Sequence, residues 1–192
     1  GVPFSDPMAD GPVIQRASGR ALRHGFGLAE VLDTAAAARR RTEVPLVLFS
    51  YFNPLLQFGP ERLARAAAAA GIDGVLVTDL PPEEAGEFSA LLQENGLDLI
   101  LLVAPTTTDE RLRRIAQLGR GFLYAVSRTG VTGTREQLSA DSARLSARIR
   151  DVSDLPIAVG FGISRAEHVA AVWQYADAAV VDRLHVFEDF GD

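Results

Sequence analysis

The runs GVLVTD at residues 74–79, LPPEE at 80–84 and DLILLVA at 98–104, with Asn95-Gly96 before the last, decide how this chain is built. The first and last are short apolar runs rich in Val, Leu and Ile, the pattern of strands buried on both faces. Between them, Pro81 and Pro82 followed by Glu83 and Glu84 open a helix. Proline fits a first helical turn, and acids favour the positive end of the helix dipole. Asn95-Gly96 closes that helix. Strand, helix and strand in this order form a parallel βαβ unit.

The same alternation extends in both directions. Upstream, residues 60–70 read as a helix stopped by Gly71, and residues 45–52 as a strand followed by a polar turn at Asn53-Pro54. Two amphipathic helices, 13–24 and 28–41, come before it, separated by Gly25-Phe26-Gly27. Downstream, Thr108-Asp109-Glu110 begins a helix ending near Gly119, and residues 122–127 form a strand. A Gly/Thr loop, a helix over 139–150 and a strand over 155–161 follow. Ser164-Arg165-Ala166-Glu167 has the form of a capping box opening a helix through Tyr175, and residues 177–181 make the last strand.

Six apolar strands alternating with helices leave two architectures, an open doubly wound sheet and a (β/α)8 barrel. No Gly-x-Gly-x-x-Gly follows the first strand. Polar residues instead recur after the strands, at Asn53, Asp79, Thr106, Ser127 and Ser164, which suits a barrel delivering side chains to one rim. The expected fold class is therefore α/β, a (β/α)8 TIM barrel that is incomplete here, with about six strands present and the first two missing. Residues 1–192 are expected to form a single domain truncated at both ends. Six strands without closure would expose two edges.

Composition narrows the function. A hydrophobic share of 47% with 23% charged residues suits a folded globular protein, and no run is long and apolar enough to span a membrane. A net charge of −6 gives no general attraction to nucleic acid. The absence of cysteine excludes disulfides and thiolate chemistry and fits a cytosolic setting. His24, His168 and His185 lack metal-ligand spacing.

Three loops carry candidate chemistry. Residues 1–12, GVPFSDPMADGP, are too rich in proline and glycine for a helix or central strand. Asp10 within them could cap the next helix or face a cleft. Residues 127–134, SRTGVTGT, can turn several N–H groups and hydroxyls toward an anion. Gly160-Phe161-Gly162-Ile163-Ser164 permits close ligand approach just before a helix N-terminus. Tyr124, Phe49, Leu76 and Phe161 read equally well as core or as the wall of a flat substrate's pocket.

Taken together these stretches resemble the tryptophan synthase alpha subunit family. The matching residues are 1–7 with 9–12, Tyr51-Phe52-Asn53-Pro54, Thr78-Asp79-Leu80-Pro81, residues 127–133 and residues 160–164, all in family order. The resemblance implies a (β/α)8 barrel that cleaves indole-3-glycerol phosphate to indole and glyceraldehyde 3-phosphate by a retro-aldol step. It implies no cofactor in this subunit; pyridoxal phosphate belongs to the beta subunit, the partner in an α2β2 heterotetramer. It further implies a cytoplasmic enzyme of tryptophan biosynthesis with a small-molecule substrate, and neither nucleic acid nor membrane as a partner.

Residue by residue, the resemblance makes Asp10 the catalytic aspartate that accepts the indole N–H. Thr132 and Gly133 match the closing loop, Tyr124 an active-site tyrosine, and Gly133 and Gly162 backbone donors to phosphate. Phe49 and Phe161 match pocket positions. Pro3, Asp6, Asn53 and Pro54 fall where the family docks against the beta subunit.

Two features depart from the family pattern. The family's catalytic glutamate lies just upstream of the Gly-Val-Pro-Phe stretch with which this chain begins, and loss of such an acid/base group costs roughly 10²- to 10⁴-fold in rate. A Gly-Ser pair that normally feeds the phosphate-binding helix reads Asp182-Arg183 here, where a carboxylate would repel phosphate and Arg183 would partly compensate. The competing expectations are a catalytically impaired fragment that only binds and activates the beta subunit, and another phosphate-binding barrel.

Overall fold

The computed structural model describes residues 1–8, 10–126, 135–160, 163 and 165–181, with the side chains of 135–139 left aside. These form two compact units, Gly1–Ile100 and Leu101–Asp192.

The first unit begins with helices α1 (Pro12–Arg23) and α2 (Leu28–Arg39). Strand β1 (Val47–Ser50), helices α3 (Phe52–Phe58) and α4 (Pro60–Ala69), strand β2 (Gly74–Val77) and helix α5 (Ala85–Glu94) follow. Strand β3 (Asp98–Val103) begins in this unit. The β1 and β2 strands pair in parallel with Phe49 opposite Leu76, and β2 pairs with β3 with Leu76 opposite Ile100.

In the second unit, the rest of β3 is followed by α6 (Asp109–Leu118), β4 (Leu123–Val126) and α7 (Arg135–Arg150). Strand β5 (Ile157–Gly160), α8 (Ala166–Val172) and β6 (Ala178–Ala179) complete it. Here β3 pairs with β4, β4 with β5 and β5 with β6, again all parallel.

In both units each strand lies beside the next one in sequence, without the reversal of order that defines a doubly wound sheet. Barrel-type winding is therefore the observed architecture, in agreement with the sequence. The cores are aliphatic: Leu55, Leu63, Leu76, Leu92 and Leu99 in the first unit, Leu112, Leu123, Leu145, Ile149 and Ile157 in the second. Each such side chain contributes about 1.5–3 kcal/mol when fully buried.

Both units use the same device at the N-terminal ends of their strands. Asp73, just before β2, accepts a hydrogen bond from Leu46 N, just before β1, at 2.6 Å and pairs with Arg39 at 2.5 Å. Arg39 also donates to the carbonyls of Gly71, Thr42 and Val44. Gly71 has φ +76°, and a Cβ there would sit 2.6 Å from Arg39 Cγ, so glycine is required on both counts. Correspondingly, Asp177 before β6 accepts from Ile157 N at the start of β5 at 2.7 Å and pairs with Arg150 at 2.5 Å.

Four boundaries differ from expectation. Asn53-Pro54 is not a turn but lies in the first turn of α3, where the N–H that proline lacks has no helical partner in any case. Helix α5 starts at Ala85, so residues 81–84 form the turn before it; Glu84 N bonds Pro81 O at 3.0 Å. Helix α7 starts at Arg135, four residues earlier than position 139. Helix α8 has Arg165 as its N-cap and ends at Val172 rather than Tyr175; the capping box expected at Ser164 falls on a residue outside the described ones.

Candidate active site

The opening stretch is held against the C-terminal end of β1. Val2 N donates to Phe49 O at 2.9 Å, and the Phe4 and Tyr51 rings lie 5.3 Å apart at 37°. Ser5 Oγ donates to the neighbouring Asp6 carboxylate. Proline and glycine keep this segment from forming regular structure, and these anchors hold its first residues. The strand end nearby is further organised by Asp79, whose carboxylate accepts Phe52 N at the start of α3 at 2.7 Å, and by Thr78 N bonding Ser50 O at 3.1 Å.

Asp10 is half-buried and stands one residue before the cap of α1. The N-cap position belongs to Gly11, with φ −70° and ψ 166°, and Pro12 is the first helical residue. The N-cap position that the sequence offered to Asp10 is thus taken by the next residue. Its carbonyl accepts a hydrogen bond from Gln15 Nε2 at 2.8 Å, a contact with no signature in the sequence.

The predicted docking residues converge in part. Pro3 and Pro54 line one groove of about 370 Å³ together with Phe4, Leu22, Leu28 and Phe58. Asp6 and Asn53 do not line it and are exposed. Phe49 is half-buried on β1.

In the second unit Tyr124 is buried on β4, opposite Ala158 in register. Its phenol leans along the sheet to Gly160, two residues further along β5: a Cβ on Gly160 would lie 1.8 Å from Tyr124 Oη. The hydroxyl therefore reaches the C-terminal end of β5, the strand end from which Phe161 and Gly162 continue. Glycine at 160 is what allows the ring this path, a signal visible in the sequence only as a glycine at a strand end. Thr132, Gly133, Phe161, Gly162, Asp182 and Arg183 lie outside the described residues.

Among the described residues no group of three His, Cys, Asp or Glu side chains could hold a metal, and no helix is long and apolar enough to cross a membrane.

The chain matches the protein family described as "Tryptophan synthase alpha chain" over residues 1–186. It belongs to that family. The tryptophan synthase alpha chain of Solibacter usitatus is 55% identical over 186 residues, covering 97% of this chain and 70% of that protein. That of Geobacter sulfurreducens is 50% identical over 192 residues, 99% and 73% respectively. Among solved structures, tryptophan synthase subunit alpha from Legionella pneumophila aligns with a TM-score of 0.84 at 41% identity, covering 94% of this chain and 66% of that one. A chain from the tryptophan synthase α2β2 complex of Pyrococcus furiosus aligns with a TM-score of 0.85 at 40% identity, covering 94% and 73%. The parallel, sequentially ordered strands are thus part of the alpha-chain (β/α)8 barrel, and the family's alpha-subunit role and lyase class are those of this chain.

Proposed function

We propose that this chain cleaves indole-3-glycerol phosphate to indole and glyceraldehyde 3-phosphate as the alpha subunit of tryptophan synthase. The observation that carries the reading is the opening stretch. It lies within the family match and is fastened to the C-terminal end of β1, and the N-cap of the following helix is Gly11 rather than Asp10.

In this reading the indole ring is protonated at the carbon bearing the glycerol phosphate chain. The bond from that ring carbon to the adjacent hydroxyl-bearing carbon then breaks, its electrons return to the ring, and loss of the hydroxyl proton leaves the aldehyde. The ring itself is the electron sink. That suits a chain whose 19 basic residues other than histidine are all arginine, because a Schiff base at a lysine side chain is not available to it.

Asp10 accepts the ring N–H and stabilises the positive charge that develops on the indole, an electrostatic effect that grows as water is excluded. Tyr124, Phe49 and Phe161 flank the substrate, Thr132 and Gly133 close over it, and Gly133 and Gly162 donate to its phosphate. The glutamate that the family places just upstream of Gly1 would be the acid/base. No cofactor is required in this subunit, which acts in the cytoplasm as one domain. The beta chain, bearing pyridoxal phosphate, docks at Pro3, Asp6, Asn53 and Pro54; the shared groove at Pro3 and Pro54 supports this.

The test is indole release from indole-3-glycerol phosphate, with and without beta chain. Asp10→Asn should lower kcat roughly 10²- to 10³-fold while leaving the protein folded. Unchanged release by that variant would refute the role given to Asp10.

A further inference from the structure

We propose that Gln15 is a positioning residue for Asp10, acting on the lyase reaction through the Asp10 main chain. The assignment rests on the reading of Asp10 given above. Gln15 lies in the first turn of α1 and binds two successive carbonyls: its main-chain N donates to Gly11 O at 3.0 Å and its side-chain Nε2 to Asp10 O at 2.8 Å. The first bond belongs to any helix. The second does not, and it requires a side chain with an N–H donor at this length.

What the second bond fixes is the peptide plane between Asp10 and Gly11. Rotation about the Cα–C bond of Asp10 swings its carbonyl relative to its Cβ. With the carbonyl held on α1, the direction of the Asp10 side chain is set relative to the helix. Packing gives little help at this joint, because a Cβ at Gly11 would meet nothing within 4 Å. Pro12 restrains Gly11 to its extended conformation, φ −70° and ψ 166°, but leaves the preceding torsion open. At the other end the stretch is tied to β1 through Val2 and Phe4. Gln15 thus supplies an anchor on the helix side of Asp10.

An acceptor that must meet one ring N–H is sensitive to placement, since small displacements of a reacting group have large rate effects. Gln15→Leu keeps the bulk and helix propensity and removes the donor. We expect its kcat for indole release, measured with beta chain present, to fall roughly tenfold with KM little changed. On an Asp10→Asn background the same substitution should have no further effect, because Gln15 acts through that carboxylate. Gln15→Arg, which retains an N–H donor, should recover part of the loss. The urea midpoint of each variant separates loss of helix stability from loss of positioning.

An equal fractional loss on both backgrounds, or an unchanged kcat, overturns the assignment. So does a loss that follows the fall in midpoint across all three variants. A full-length parent bearing the upstream glutamate that releases no indole defeats the lyase reading and this assignment with it. A parent that turns over alongside an unaffected Gln15→Leu defeats this assignment alone.

Discussion

At position 160 the side chain is a single hydrogen, and the Tyr124 ring occupies the space that any larger group would need. An alanine there would place its Cβ 1.8 Å from Oη and 2.3 Å from Cζ, distances no rotamer adjustment of the new methyl can relieve. The tyrosine must move, and it is only 5% exposed, so its neighbours must move too. Gly160→Ala is expected to destabilise the protein by about 1–3 kcal/mol in urea unfolding and to lower kcat/KM at least roughly tenfold. An unchanged midpoint together with parental turnover would show that the ring does not depend on this gap. At this scale the sequence is legible where chemistry restricts residue type and silent where two residues merely touch. Asp10 drew attention by its place before Gly11-Pro12, as a cap or a cleft residue, and its catalytic role came only from the family resemblance. Nothing in the letters linked Tyr124 to Gly160, or Gln15 to Asp10, because both contacts depend on side-chain direction.

Among the elements, the aspartates before β2 and β6 do similar work from equivalent places, and the second carries a pH signature. The Asp177 carboxyl is held below its ordinary value of 3.8, chiefly by the Ile157 N–H and, against the opposing effect of desolvation, also by the Arg150 guanidinium. A depressed carboxylate pKa stabilises the folded state above the unfolded value, and that contribution disappears as pH falls through the folded value. Asp177→Asn retains an acceptor for Ile157 but loses the charge opposite Arg150. Because the Asp177 side chain is 45% exposed, solvent screening limits the difference to about 1 kcal/mol or less. The gap in urea midpoint between parent and variant should be open near about pH 7 and narrow below about pH 4. A gap independent of pH would mean that the charge is not what matters. The strands and most helices were legible because apolar runs and helical periodicity report burial directly. Helix α3 was not, because Phe52-Asn53-Pro54 carries turn chemistry that a helical first turn tolerates equally well. The start of α5 was misjudged for a related reason: Pro81 and Pro82 suit a turn before a helix as well as its first residues.

Along the chain, sequence order and strand order coincide, the winding that the polar residues recurring after the strands led one to expect. Nothing in the composition marks a boundary near Ile100, since DLILLVA runs apolar without a break through Leu101 and both residues are 1% exposed. Yet the boundary between the two compact units falls there, within the span of β3. Residues 98–100 register with β2, while 101–103 register with β4. Each unit also has its own aliphatic core and its own aspartate–arginine clamp. Cooperative units of this kind open with separate free energies when local cohesion exceeds what joins them. Hydrogen exchange read by mass spectrometry across a urea series is therefore expected to give two classes of peptide, one from residues 1–100 and one from residues 101–126, 135–160 and 165–181, with distinct midpoints. The peptide spanning β3 should follow whichever unit opens later, because one surviving set of ladder hydrogen bonds still protects its half of the strand. A single midpoint shared by every peptide, with one slope against urea, would mean that the chain unfolds as one cooperative body and that the division at Ile100 has no energetic counterpart.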